Sequence, residues 1–103
     1  MIRSSSVQPR SFAVDPRAFG KDGIQWKTVD DPLEQDLLVA AQIQHKYALK
    51  INRRAQQVGM TIKELSARGD TNSPRSNGRM LRGEAYLRLE YLAQVHRILG
   101  DIL

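Results

Sequence analysis

The chain contains no cysteine, which excludes a disulfide framework and any thiolate-ligated metal site. Its two histidines, His45 and His96, lie far apart in sequence, and no close spacing of carboxylates completes a zinc set around either. His96 falls on an apolar stripe and reads as a packed, hydrogen-bonded histidine; His45 reads as a surface or interface residue. No apolar run approaches the ~20 residues needed to span a bilayer. The opening MIRSSSVQPR has no apolar segment that reads as a secretory leader. Gly20-Lys21-Asp22-Gly23 is too short for a phosphate-binding loop and is not followed by a helix. The carboxylates of Asp30, Asp31, Glu34 and Asp36 sit where a helix begins, as cap and dipole partners rather than as an acid/base pair. These absences predict a non-enzyme with no cofactor, no metal and no membrane partner. The lack of cysteine fits a reducing cytoplasm, with association to the nucleoid.

What is present is a basic chain of 103 residues with enough apolar side chains for one modest core. The net charge of +5 favours a polyanionic partner. That charge is unevenly spread. Residues 59–83 carry five basic and two acidic side chains, whereas residues 84–103 carry two and three.

Residues 1–31 read as an N-terminal arm. Pro9, Pro16, Gly20 and Gly23 interrupt any helical pattern. Ser11–Val14 and Ile24–Val29 suit extended backbone, so a weak hairpin is one outcome. An irregular arm whose Phe12, Phe19 and Trp26 dock on the helices is the other. Residues 32–103 read as an all-α, helix-turn-helix bundle of about four helices. Asp31-Pro32-Leu33-Glu34 starts the first, with a capping acid and a proline at the first helical position. Leu33, Leu37, Ala40, Tyr47, Ile51, Ala55 and Val58 recur on one side, and Gly59 ends the helix. A helix this long is expected to break near Gln42–Gln44.

Thr61-Ile62-Lys63-Glu64 is a capping box opening a short helix to about Arg68. Gly69-Asp70-Thr71-Asn72 is a turn. Ser73 then caps and Pro74 leads a helix to about Arg82, closed by Gly83. On this helix Arg75, Arg79 and Arg82 share one face, with Met80 and Leu81 flanking the other. A short helix with a basic outer ridge, held on a partner helix, suits the DNA major groove. Two residues stand out against that pattern. Gly78 lies mid-helix, and Asn77 points inward where an apolar side chain is expected. Either the helix is irregular, or Asn77 satisfies backbone groups in the turn. The last helix is predicted from near Glu84 through the 90s, apolar on two sides and therefore sandwiched.

From Leu49 to Gly100 the chain resembles the lambda-repressor-like, Xre-type helix-turn-helix family. The matching segments are Arg53-Arg54 before the motif, GMTIKELSAR, RMLRGE and LRLEYLAQVHRILG. It departs from that family in its longer turn and in Asn77. The resemblance implies a sequence-specific binder of double-stranded DNA, a repressor or regulator of bacterial, phage or mobile-element origin, working as a homodimer. It implies that Arg75, Ser76 and Arg79 read base edges. Arg53, Arg54, Thr61, Lys63, Ser73 and Arg82 are the expected phosphate contacts. The dimer interface is expected from the long first helix and from Leu87, Tyr91, Ile98 and Ile102. A helical interaction module or antitoxin-like partner is the alternative, and a binder without sequence preference is a third.

Overall fold

The computed structural model describes residues 8–69 and 74–103. Four helices build the molecule: α1 (Pro32–Gln57), α2 (Ile62–Gly69), α3 (Pro74–Leu81) and α4 (Leu89–Leu99). Among the described residues two 3₁₀ turns, Pro9–Phe12 and Pro16–Ala18, precede them. The fold is all-α, with no strand among the described residues. One antiparallel bridge, Ala13 to Trp26, is all that the expected hairpin amounts to.

α1 begins as its sequence dictates. The Asp31 carboxylate accepts the Glu34 N–H at 3.2 Å, and Pro32 takes a position whose N–H needs no partner. It ends at Gly59, in the left-handed region at φ 68°. There Gly59 N–H reaches Gln56 O at 3.1 Å and Met60 N–H reaches Ala55 O at 2.8 Å, the paired bonds of a Schellman closure. Gly83 closes α3 in the same way, through Gly83 N–H to Met80 O and Glu84 N–H to Arg79 O.

α1 is continuous, without the break expected near Gln42–Gln44. The Gln44 side chain does not disturb its own helix; it serves the neighbours. Buried at 5% exposure, it donates to Met80 O and Ala85 O, both at 2.9 Å, and accepts the Leu87 N–H at 2.9 Å. Those bonds also account for the second difference from expectation. α4 starts at Leu89, not near Glu84, because Gly83 turns the chain and Gln44 holds the backbone of Ala85 and Leu87 outside a helical ladder.

One core unites all of these elements. Ile51 and Ala55 from α1, Leu65 from α2, Met80 and Leu81 from α3, and Tyr91, Val95 and Leu99 from α4 pack with Phe19 of the arm. The arm is therefore part of the bundle, not a separate tail. Gly20, at φ 79°, is a point of close approach: a Cβ there would stand 2.8 Å from Leu81 O and 3.2 Å from Asn52 Nδ2. Asn52 donates to Gly20 O at 3.1 Å, and Gly20 N–H donates to His45 Nδ1 at 2.9 Å. His45 is thus a docking residue, stacked edge-on against Phe19 and Trp26 with ring centroids 5.5 Å away in each case.

Tyr91 and Ile102 are 1% and 0% exposed within this core, so they are not available to a second copy as expected. Leu87 and Ile98 are half-buried against the same core. Burial also pushes the Tyr91 phenol up to about 12. His96 is the packed histidine expected, its Nδ1 facing the N–H groups of Ile102 and Leu103 at 3.4 and 3.3 Å.

Two outcomes follow from this packing. Gln44→Leu removes the partners of Ala85 O and Leu87 N–H, each costing about 1–3 kcal/mol when buried unpaired. Urea unfolding should then show a loss of at least about 2 kcal/mol, despite the gain in hydrophobicity. The second concerns pH. Desolvation holds His45 below its ordinary 6.5, with Asp22 opposing weakly. Folding therefore favours the neutral imidazole that accepts the Gly20 N–H. This contribution is present above the unfolded value and is lost as pH falls through the folded one. Trp26 emission should report the arm loosening below pH 6.5, and His45→Gln should abolish that transition.

Candidate nucleic-acid interface

α2 and α3 pack against each other, and polar contacts set how they meet. Thr61 and Glu64 make the capping box reciprocally: Thr61 Oγ1 accepts the Glu64 N–H at 3.1 Å, and Glu64 Oε1 accepts the Thr61 N–H and hydroxyl at 3.3 and 3.0 Å. One turn on, Ser66 Oγ donates to Ile62 O at 2.8 Å and accepts from Asn77 Nδ2 at 2.7 Å. The inward Asn77, wholly buried, is thus a polar clamp between the two helices within a regular α3. Asn77 Oδ1 and the Tyr91 hydroxyl are buried with no hydrogen-bond partner among the described residues.

The inner side of α3 buries Asn77, Gly78, Met80 and Leu81. Its outer side exposes Arg75, Ser76 and Arg79. The guanidinium groups of Arg75 and Arg79 make no hydrogen bond or ion pair among the described residues, although the Arg79 charge helps to hold the Glu84 carboxyl low; both forks are exposed. Gly78 faces the Arg82 guanidinium, 2.9 Å from where a Cβ would stand, and leaves space for that side chain to lie along the helix.

The expected phosphate contacts divide into three groups. Lys63 is exposed, with no ion pair among the described residues. Arg53 pairs with Asp22, and Arg82 pairs with Glu84, whose carboxyl it holds below the usual carboxylate range through their hydrogen bond. Both pairs are solvent-exposed, and such pairs contribute only about 0–1 kcal/mol, little enough for a phosphate to displace the acid. Arg54 and Thr61 are committed elsewhere. Arg54 Nε donates to Leu99 O at 2.9 Å, capping the C-terminus of α4. The Thr61 hydroxyl is taken up on both sides by Glu64. Ser73 lies outside the described residues.

The structure adds a residue absent from the expected set. Lys21, on the arm, lines one recess with Asn52, Lys63, Pro74, Gly78 and Arg82. An adjoining recess is lined by Arg75, Ser76, Arg79, Arg82 and Glu84. Arg82 lines both, so it joins Lys21 and Lys63 on one side to Arg75 and Arg79 on the other, with the Glu84 carboxylate as the one acid among these lining residues. Its signal in sequence was the glycine pair around Lys21-Asp22, which turns the chain back toward α1.

No family model matches this chain, and no curated protein or solved structure matches it either. No helix among the described residues is long and apolar enough to cross a membrane.

The two neighbouring arginines separate the structural role from the surface one. Arg54→Ala should lower stability by about 1–2 kcal/mol in a thermal melt, because a charge-assisted cap on α4 is lost. Arg53→Ala should change it by less than about 0.5 kcal/mol, as expected of an exposed pair.

Proposed function

We propose that this protein binds double-stranded DNA sequence-specifically and acts as a transcriptional regulator, with α3 as the helix that enters the major groove. The observation that carries the reading is the two-sidedness of α3. Its inner residues are buried against α2 and the core, while the guanidinium groups of Arg75 and Arg79 stand exposed, with no hydrogen bond or ion pair among the described residues. An α-helix with its side chains is about 10–12 Å across, close to the ~12 Å width of the major groove. Arginine's planar fork matches O6 and N7 of guanine, and Ser76 has the reach and chemistry for a base edge or a phosphate.

Lys21, Lys63, Arg53 and Arg82 take the positioning role on the flanking backbone. Phosphate contacts fix register, and base contacts supply sequence. Arg54 and Thr61 are left out of this assignment.

Selection of bound duplexes from a random pool at near-physiological salt tests the reading. An enriched motif is expected, with affinity falling steeply as salt rises. Arg75→Ala and Arg79→Ala should each weaken the selected duplex by about 5–150-fold, the equivalent of 1–3 kcal/mol, and leave the melting temperature unchanged. Lys63→Ala should weaken all duplexes alike and reduce the salt slope by about one. Absence of duplex binding, or affinity indifferent to salt, overturns the proposal.

A further inference from the structure

α1 runs the length of the molecule. Its 26 residues at ~1.5 Å each span about 39 Å, against a longest molecular dimension of 40 Å. Its second half is packed on the core, but its first half exposes large apolar side chains: Leu33 at 60%, Val39 at 51% and Ile43 at 54%. Val39 and Ile43, four apart, are neighbours on one face. With 100° per residue, Asp36, Ile43, Val39 and Lys46 fall within about 80° of arc, on a side of the helix roughly 120° from the buried Gln44. Asp36 and Lys46 are both exposed, and neither makes an ion pair among the described residues.

The order of these residues is self-complementary. The midpoint between Val39 and Ile43 is the level of Ala41. Asp36 lies five residues before it and Lys46 five residues after it. Two copies of α1 laid antiparallel about a two-fold axis at that level set Val39 of each against Ile43 of the other. The same rotation sets each Asp36 against the opposite Lys46. A parallel pairing in register would instead set like charges together, which is unfavourable.

We infer that the Asp36–Lys46 face of α1 is a homodimer contact, in which a second copy of this chain pairs antiparallel through Val39 and Ile43. The apolar pair supplies the buried centre, and the two symmetric ion pairs fix orientation and register, the usual division of labour at interfaces. Three turns of helix bury less than the ~800 Å² per partner of a standard interface, so the contact belongs with the small, reversible ones and is tested at high protein concentration. This contact replaces Tyr91 and Ile102, which the core has consumed. It does not depend on the DNA reading: Ile43, the nearer of its two apolar residues, lies ten residues along α1 from Arg53, and its test uses no nucleic acid.

Sedimentation equilibrium on the full chain tests it, at about 100 μM, where a complex of micromolar affinity is dimeric. The wild type should sediment as a dimer. Ile43→Glu should raise the dissociation constant at least about tenfold while leaving the circular-dichroism melt of the monomer unchanged, because Ile43 is exposed. Asp36→Lys and Lys46→Asp should each weaken the dimer, and the two together in one chain should restore it. A monomeric wild type overturns the inference. So does a dimer indifferent to Ile43→Glu, or a double charge exchange that fails to rescue the single ones.

Discussion

The carboxamide of Gln44 bonds three backbone groups around the turn from α3 to α4, and for Ala85 O and Leu87 N–H it is the protein partner that a helical ladder would otherwise supply. Its two donors and its acceptor match Met80 O, Ala85 O and Leu87 N–H in both number and kind. No apolar side chain offers that match, and a buried polar group left unpaired costs more than a net hydrogen bond contributes. The consequence is geometric as well as energetic. The end of α3 and the start of the path to α4 are both referred to one point on α1, and α1 is the longest rigid element of the fold. The direction in which α3 presents its arginines is therefore set from the far side of the core.

Long polar side chains closing the ends of helices recur elsewhere. Arg54 closes α4 through Leu99 O, and Gln94 donates to Gly69 O at the end of α2, at 2.7 Å. Helices of eight to eleven residues leave a large share of their carbonyls without an intrahelical partner. A small core cannot compensate many such losses. Side chains reaching across from a neighbouring helix satisfy the carbonyl and fix the packing in the same contact.

Where local chemistry decides, the sequence was legible. The Asp31-Pro32 start of α1, the Thr61–Glu64 box and the glycine closures at Gly59 and Gly83 depend on residues within a few positions of one another. Each has the geometry that its spacing implies. What escaped was decided by partners distant in the chain. The break near Gln42–Gln44 was expected from the length of α1, and nothing local marks Gln44 as a buried link, because its three partners are 36 to 43 residues away. The start of α4 was misplaced for the same reason. Arg54 and Arg53 are indistinguishable in sequence, yet the 100° between them turns one toward α4 and the other toward Asp22. Tyr91 and Ile102 looked like a spare apolar stripe because the number of neighbours available to cover them cannot be read from periodicity.

The wedge at Gly20 changes what counts as the smallest folding unit. Its backbone lies between α1 and the final carbonyl of α3, and the adjacent Phe19 ring fills the core between them. A fragment beginning at Pro32 would retain every helix and still lose the filler that spaces two of them. The described stretch before the first helix, residues 8–31, belongs to the scaffold as a keystone belongs to an arch.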